Sequence, residues 1–494
     1  MKKMKYDILF FFMACFLLLT GLSSEVQGAK ATFRSFDVKS NYKEILFFDF
    51  DGDGLDDIIL IDEPNLVFFF QDPKSGFTKT PNLVYSLGDK PSVIWPARLG
   101  NSPGQDILVM TNEGVDSLSF VDRSKMPVRN KLINQQTIVP EKCEEPAVVS
   151  FTLSANTAKE FPLIFIPTEN RLEIWKYGEQ WHYIDSLQGI PEARIWGPYK
   201  TAGYTKQYWL NINIGDLNGD GLEDLVICEE NNGKAVFKVY PQKQDGSFTL
   251  KPSQSFEDEW NWRTWICLQD INKDGNIDII KNTWLQEPWF IPGTYSGKVL
   301  VQIFMSDVQG NIPNKPTFVF RKNDWISSMP IVDVDGDGFI DIVLGYGLFD
   351  SREGVRKTIT AKKLDHSLRI HFHHGDGFHE KPDIQKDVII QLEHYGMYLT
   401  WSRRDYLETL ISIDGDFDGD GRKDLLVKDE EDKASVYFFI SREQGFSKKP
   451  DIQFNDIKKV ERFITVDLNK DGISDLIVLS RKKDSFKVFL SKRK

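Results

Sequence analysis

Residues 49–57 read Asp49-Phe50-Asp51-Gly52-Asp53-Gly54-Leu55-Asp56-Asp57 and run straight into Ile58-Ile59-Leu60. The same pattern, D-x-[DN]-x-D-G-x-x-D, begins again at Asp216, Asp270, Asp333, Asp416 and Asp467. Alternate residues of a tight turn point inward, so this spacing gathers oxygens around a hard cation; calcium takes them at about 2.3–2.6 Å. In the first copy Asp49, Asp51, Asp53 and Asp57 offer carboxylates and Leu55 a backbone carbonyl. Gly54 allows the bend because it has no Cβ to clash. The corresponding sets are Asp216, Asn218, Asp220, Leu222 and Asp224, then Asp270, Asn272, Asp274, Asn276 and Asp278. They continue with Asp333, Asp335, Asp337, Phe339 and Asp341, then Asp416, Asp418, Asp420, Arg422 and Asp424, and finally Asp467, Asn469, Asp471, Ile473 and Asp475.

An EF-hand opens in the same way but ends on a bidentate Glu at position twelve, between helices. Position twelve here is Leu60, Ile227, Lys281, Leu344, Val427 or Val478. The residues after the ninth-position Asp are apolar and mostly β-branched, a composition that reads as a strand. One such turn would pass as an ordinary acidic β-turn; six with one spacing do not.

At these residues the chain resembles the FG-GAP or VCBS-type repeat, the unit of the integrin α-subunit N-terminal β-propeller and of many secreted bacterial proteins. The resemblance covers nearly everything after the N-terminal leader. It implies an all-β propeller of four-stranded blades and up to six bound Ca²⁺; it does not imply a particular ligand. Repeats of roughly 40–60 residues fit propeller blades. A second signature recurs in the same period, in the hairpin between third and fourth strands: Gly76-Phe77 before Pro81, Gly246-Ser247-Phe248 before Pro252, Gly377-Phe378 before Pro382, and Gly445-Phe446 before Pro450. Gly supplies the turn, and the Phe is expected to fold back onto its blade.

Two degenerate repeats lie between the first and second acidic loops. The first has strand-like segments 92–99, 106–110, 117–121 and 131–135; the second has 147–153, 162–166, 171–176 and 181–186. Arg98 and Gly100 stand where ligands would be in the first of them. The count is eight blades, or seven if one degenerate repeat is an insertion. The eighth repeat offers three strands up to Leu490, and Ala31–Val38 precede the first repeat as an orphan strand. An open sheet edge invites aggregation, so the orphan strand is expected to complete the last blade and close the ring.

Residues 1–28 read as a signal peptide: Lys2, Lys3 and Lys5, an apolar run from Ile8 to Leu22, and small residues near Gly28. Cys15 has no convincing lipobox around it. Residues 29–494 then form one propeller domain, exported to the periplasm, the cell surface or the medium, with no stable membrane insertion. Cys143, Cys228 and Cys267 remain after cleavage; Cys228 and Cys267 are placed either to bridge consecutive blades or to stay as buried thiols. A net charge of −12 argues against nucleic acid, and six Ca²⁺ ions would offset it.

The resemblance places the acidic loops and the third–fourth hairpins on one face of the propeller. The opposite face carries the departures from the period. An insertion at 282–298 holds Trp284 and Trp289, another spans 346–367, and the connection at 393–408 holds Tyr398, Trp401, Arg403 and Arg404. Aromatic rings interleaved with Arg suit sugar rings or a protein hot spot, so these six are the candidate ligand residues; packing of the insertions onto the propeller is the competing role. No nucleophile elbow, zinc-protease helix or phosphate-binding glycine loop is present. Some polysaccharide lyases are calcium-containing propellers, and His394, Tyr398, Arg403 and Arg404 are the one cluster that such chemistry would use. The first reading is a recognition or scaffold module for a glycan or protein partner. The alternatives are a glycan-active enzyme and a structural envelope component. His371, His373, His374 and His379 crowd one hairpin, but alignment on the Gly-Phe pairs sets them against Phe439, Ser441, Arg442 and Ser447 of the next blade, and they are taken as ordinary blade positions.

Overall fold

The structure, a computed structural model, describes residues 25–27, 31–90, 92–99, 103–120, 123, 125–139, 141, 148–150, 154–156, 162–168, 171–177, 181–188, 211–231, 234–259, 264–284, 299–307, 309–322, 326–327, 331–347, 362–392 and 410–494. Among these the secondary structure is all strand. The strands form eight antiparallel blades arranged as a β-propeller. Blade one is typical: Glu44–Phe48, Asp57–Asp62, Asn65–Phe69 and Leu83–Ser86 pair in sequence order. Its second and third strands are buried along almost their whole length, which is why they read as unbroken apolar runs rather than an alternation.

The core lies between blades, in clusters that span their interfaces, one of them running through blades six, seven and eight. Ile59, Phe68 and Phe50 of blade one meet Ile94, Ile107 and Phe120 of blade two. Leu163 and Phe165 of blade three meet Leu225 and Ile227 of blade four. The ring closes as the orphan segment implies. Ala31–Lys39 lies antiparallel to Ser485–Arg493, with Ala31 opposite Arg493 and Lys39 opposite Ser485. This makes it the fourth strand of blade eight. Phe33 and Val38 of that strand are fully buried. A short strand, Glu25–Gln27, adds to its outer edge.

The degenerate repeats are both true blades, which settles the count at eight, with local corrections. In blade two the third strand is Gly114–Ser119 and the fourth Val128–Ile133, each about three residues earlier than the apolar pattern implies. The tight Asn112-Glu113-Gly114 turn sets this register, with Gly114 at φ 125°. The expected first strand of blade three is divided. Val148–Ser150 pairs in parallel with Ser92–Ile94 of blade two, and only Ser154–Asn156 pairs within blade three. In blade six the third strand begins at Lys363, so the expected insertion at 346–367 loses its ends to strands. Cys267 is a free thiol, so it makes no bridge to Cys228.

The hairpin phenylalanines do more than fold onto their own blade. Phe77 meets Phe36 of blade eight with ring centroids 6.4 Å apart. Phe248 meets Phe165 of blade three at 6.0 Å, and Phe378 meets Phe318 of blade five at 5.4 Å. Each reaches back to the preceding blade, so this signature encodes the interface between repeats.

Candidate metal centre

Each acidic loop joins the first strand of its blade to the second, and all six share one hydrogen-bond frame. The Oδ2 of the first Asp accepts the N–H of the glycine at position six, as Asp49 does from Gly54 at 3.0 Å and Asp333 from Gly338 at 2.7 Å. The same bond recurs at Asp216, Asp270, Asp416 and Asp467. The Asp at position five accepts the N–H of position seven at 2.9–3.0 Å in every loop, from Leu55, Leu222, Asn276, Phe339, Arg422 and Ile473. That turn needs a left-handed residue at position six, where the glycines take φ between 81° and 91°. Position four is left-handed too, and there Lys273 and Lys470 adopt it without being glycine.

The ninth-position Asp ties the loop to its sheet. Its Oδ2 accepts the N–H of loop position two: Phe50, Leu217, Ile271, Val334, Phe417 and Leu468. Its Oδ1 accepts an N–H near or just after the end of the third strand: Gln71, Gln242, Ser306, His373, Phe439 and Ser491. All six are buried. Burial, reinforced by neighbouring loop carboxylates, pushes the Asp57, Asp424 and Asp475 carboxyls up to about 8 and Asp341 to about 7. Asp224 and Asp278 rise to about 6 for the same reason. A buried carboxylate beside others is a charge that a bound cation would relieve.

In three loops, oxygens from three separate carboxylates lie within 4.8 Å of one another: Asp49, Asp51 and Asp53; Asp333, Asp335 and Asp341; Asp416, Asp418 and Asp424. These are the loops with Asp at position three; Asn218, Asn272 and Asn469 hold that place in the others. The donors in all six are oxygens, which suits calcium rather than a softer ion.

In each of the three loops with Asp at position three an arginine pairs with one or two of the carboxylates. Arg123, from the third–fourth hairpin of blade two, pairs with Asp51 and Asp53 of blade one. Arg442 of blade seven pairs with Asp335 and Asp337 of blade six. Arg422 pairs with Asp420 inside blade seven's own loop. The charge count of each loop was legible in sequence, but its arginine partners were not. Arg123 and Arg442 come from a different blade, and only Arg422 lies within the motif.

Neighbouring loops are also bonded to each other. The N–H of position eight donates to a carbonyl at position one or two of the preceding loop: Asp56 to Leu468 at 2.8 Å, Ile277 to Asp216 at 2.9 Å, Ile340 to Ile271 at 3.0 Å, Lys423 to Val334 at 2.8 Å and Ser474 to Asp416 at 2.6 Å. Gln105 of blade two continues the chain to Asp49 at 2.7 Å. The loops therefore fasten blade to blade.

Of the expected ligand residues, Trp284 ends the second strand of blade five, opposite Val299. Trp289, Tyr398, Trp401, Arg403 and Arg404 lie outside the described residues, as do His394 and most of both insertions. Among the described residues no helix is long and apolar enough to cross a membrane.

Residues 216–280 and 416–478 match the FG-GAP-like repeat. The chain is thus an eight-bladed β-propeller carrying FG-GAP-like repeats. Among solved structures it is similar to a lectin from Agrocybe aegerita, whose description concerns specific recognition of non-reducing terminal N-acetylglucosamine. That similarity is 12% identity over 94% of each chain with a TM-score of 0.41, and it carries no argument about a ligand. No curated protein matches the chain.

Proposed function

We propose that this protein is an exported, calcium-stabilised recognition module, with up to six Ca²⁺ ions seated in the loops and a glycan or protein partner held on the opposite face. The observation that carries the reading is the six-fold repetition of one oxygen-lined loop around buried ninth-position carboxylates. Bound calcium would stiffen the turns, and the bonds from loop to loop would pass that rigidity around the ring. The function of such a module is to hold loops on its other face in fixed positions, where binding residues concentrate. In that role the basic leader at residues 1–28 directs export, and Trp284, Trp289, Tyr398, Trp401, Arg403 and Arg404 supply the binding surface.

The test separates the two faces. A glycan array and an affinity pull-down identify the ligand; Trp289→Ala, Trp401→Ala and Arg403→Ala are then measured against it. Recognition predicts weaker binding with calcium affinity and melting point nearly unchanged. Asp337→Ala, in a loop, is expected to lower stability with the ligand contacts left in place. Unstable Trp variants whose folded fraction binds normally would make that face structural.

A further inference from the structure

We propose that His374, His379 and Asp383, in the third–fourth hairpin of blade six, form a site for a borderline divalent cation of the zinc type, chemically separate from the oxygen loops. His374 Nε2 and His379 Nδ1 both approach Asp383 Oδ1, at 3.1 Å and 3.2 Å. One ligand atom from each of the three residues lies within 4.8 Å of the others. Bonds of about 2.0–2.1 Å to a tetrahedral ion place its ligands roughly 3.3–3.4 Å apart, close to both separations. The two imidazoles stack with centroids 3.9 Å apart, and their nitrogens approach the same oxygen, Asp383 Oδ1.

The supporting contacts fix this arrangement. Asp383 Oδ2 accepts the Phe372 N–H at 2.9 Å, leaving Oδ1 toward the histidines. The His374 N–H donates to Gly377 O at 2.9 Å. The His379 carbonyl lies 3.0 Å from Nδ1 of the buried His371. Outer contacts of this kind orient metal ligands. His379 is 63% exposed and Asp383 17%, so an ion has a path in and water can complete the coordination.

Comparison with the other blades isolates what is unusual. In blade one Asn82 accepts the Phe70 N–H at 2.9 Å and Thr78 Oγ1 donates to Asn82 at 3.3 Å. In blade seven Asp451 accepts the Phe438 N–H at 2.9 Å and bonds Ser447. In these two blades the hairpin combines a carboxylate or amide with one hydroxyl, whereas in blade five the Thr317 hydroxyl alone takes the equivalent Met305 N–H at 3.1 Å. Blade six supplies an imidazole in place of the hydroxyl and adds a second from His374. The observed register also revises the alignment made on Gly-Phe. His373 and Phe439 both donate to the ninth-position Asp of their loops, so His374 stands opposite Ile440, and blade seven's hairpin is two residues longer. Nitrogen donors select zinc, copper or nickel over calcium.

The experiment is zinc titration of the untagged full chain by calorimetry in excess calcium, which keeps the oxygen loops filled. One saturable equivalent is expected, and a tetrahedral visible spectrum when cobalt replaces zinc. His379→Ser restores the residue type of blade seven and should fold normally. It and His374→Ala should each weaken zinc at least tenfold, with His182→Ala in blade three as the silent control. Absence of saturable binding overturns the proposal, as does undiminished affinity in both hairpin variants. Zinc binding lost in Asp337→Ala but kept in His379→Ser would assign the ion to the loops and overturn it as well.

Discussion

Arg123 of blade two grips Asp51 of blade one with its guanidinium and reaches Asp53 with the same group, across the blade interface. The Asp51 side chain is 1% exposed, whereas Arg123 is 39% exposed. The pair therefore stands between an exposed bridge and a buried one. The bond to Asp51 holds the guanidinium above its ordinary pKa, so Arg123 stays charged at any working pH. In EGTA, Arg123→Ala should cost about 1–2 kcal/mol, between the two regimes. In millimolar calcium the loss should shrink, because the ion then supplies the positive charge. Equal losses in both conditions, measured by chemical denaturation, would mean that arginine and calcium do not address the same carboxylates.

The buried ninth-position carboxyls give a pH signature. A carboxyl whose folded pKa is raised above its unfolded value of about 3.9 contributes stability fully below that value, and the contribution is lost as pH rises through the folded pKa. For Asp224 and Asp278 the window closes near pH 6, and for Asp57, Asp424 and Asp475 near pH 8. Melting in EGTA should therefore fall steadily between about pH 5 and pH 8. Calcium binds the ionised form, so the gap between melting points with calcium and with EGTA should widen over the same range. At a hundredfold excess over Kd each site adds about 2.7 kcal/mol. An unchanged midpoint in calcium at pH 8 would remove the loops as calcium seats.

Two glycines separate strain from collision. Gly54 has φ 91° and open space where a Cβ would go. Gly76 has φ 74°, and a Cβ there would sit 2.3 Å from Phe36 Cζ of blade eight. Gly54→Ala should cost about 1 kcal/mol of backbone strain. Gly76→Ala should cost about 1–3 kcal/mol more, because it also overpacks an interface. Equal melting points for the two variants would show that Phe36 moves aside freely.

Legibility in the chain divides along physical lines. The acidic loops and the blade count were legible because each is a local pattern: a nine-residue turn, then a buried strand. The closing strand was legible by elimination, since Ser485–Arg493 needed a partner and Ala31–Lys39 had none nearer in sequence. Contacts across blades were not legible. Arg123 and Asp51 are 72 residues apart, and no period in the sequence links them. The split first strand of blade three was hidden for a related reason. Val148–Ser150 belongs to another blade's sheet, and a strand's own sequence does not name its neighbour. The histidine hairpin was visible as composition, but a two-residue difference in turn length hid its register.

Ring closure yields the last prediction. Ala31–Lys39 pairs along nine positions with Ser485–Arg493 and buries Phe33 against Phe417 and Phe454 of blade seven, at 6.4 Å and 5.1 Å. Val38 joins the cluster between blades eight and one. The strand therefore closes a sheet and also fills two interfaces. A chain beginning at Ser40 would leave Ser485–Arg493 as a bare edge, open to pairing with another copy. It should aggregate on concentration and melt well below a chain beginning at Ala29. A synthetic peptide of residues 31–39 added in trans should restore monomeric behaviour by β-strand addition. A Phe33→Asp peptide should fail to do so, because it would bury a charge among aromatic rings. If the shortened chain melts like its parent, or if the two peptides rescue equally, the seam between the chain ends does not hold the ring together.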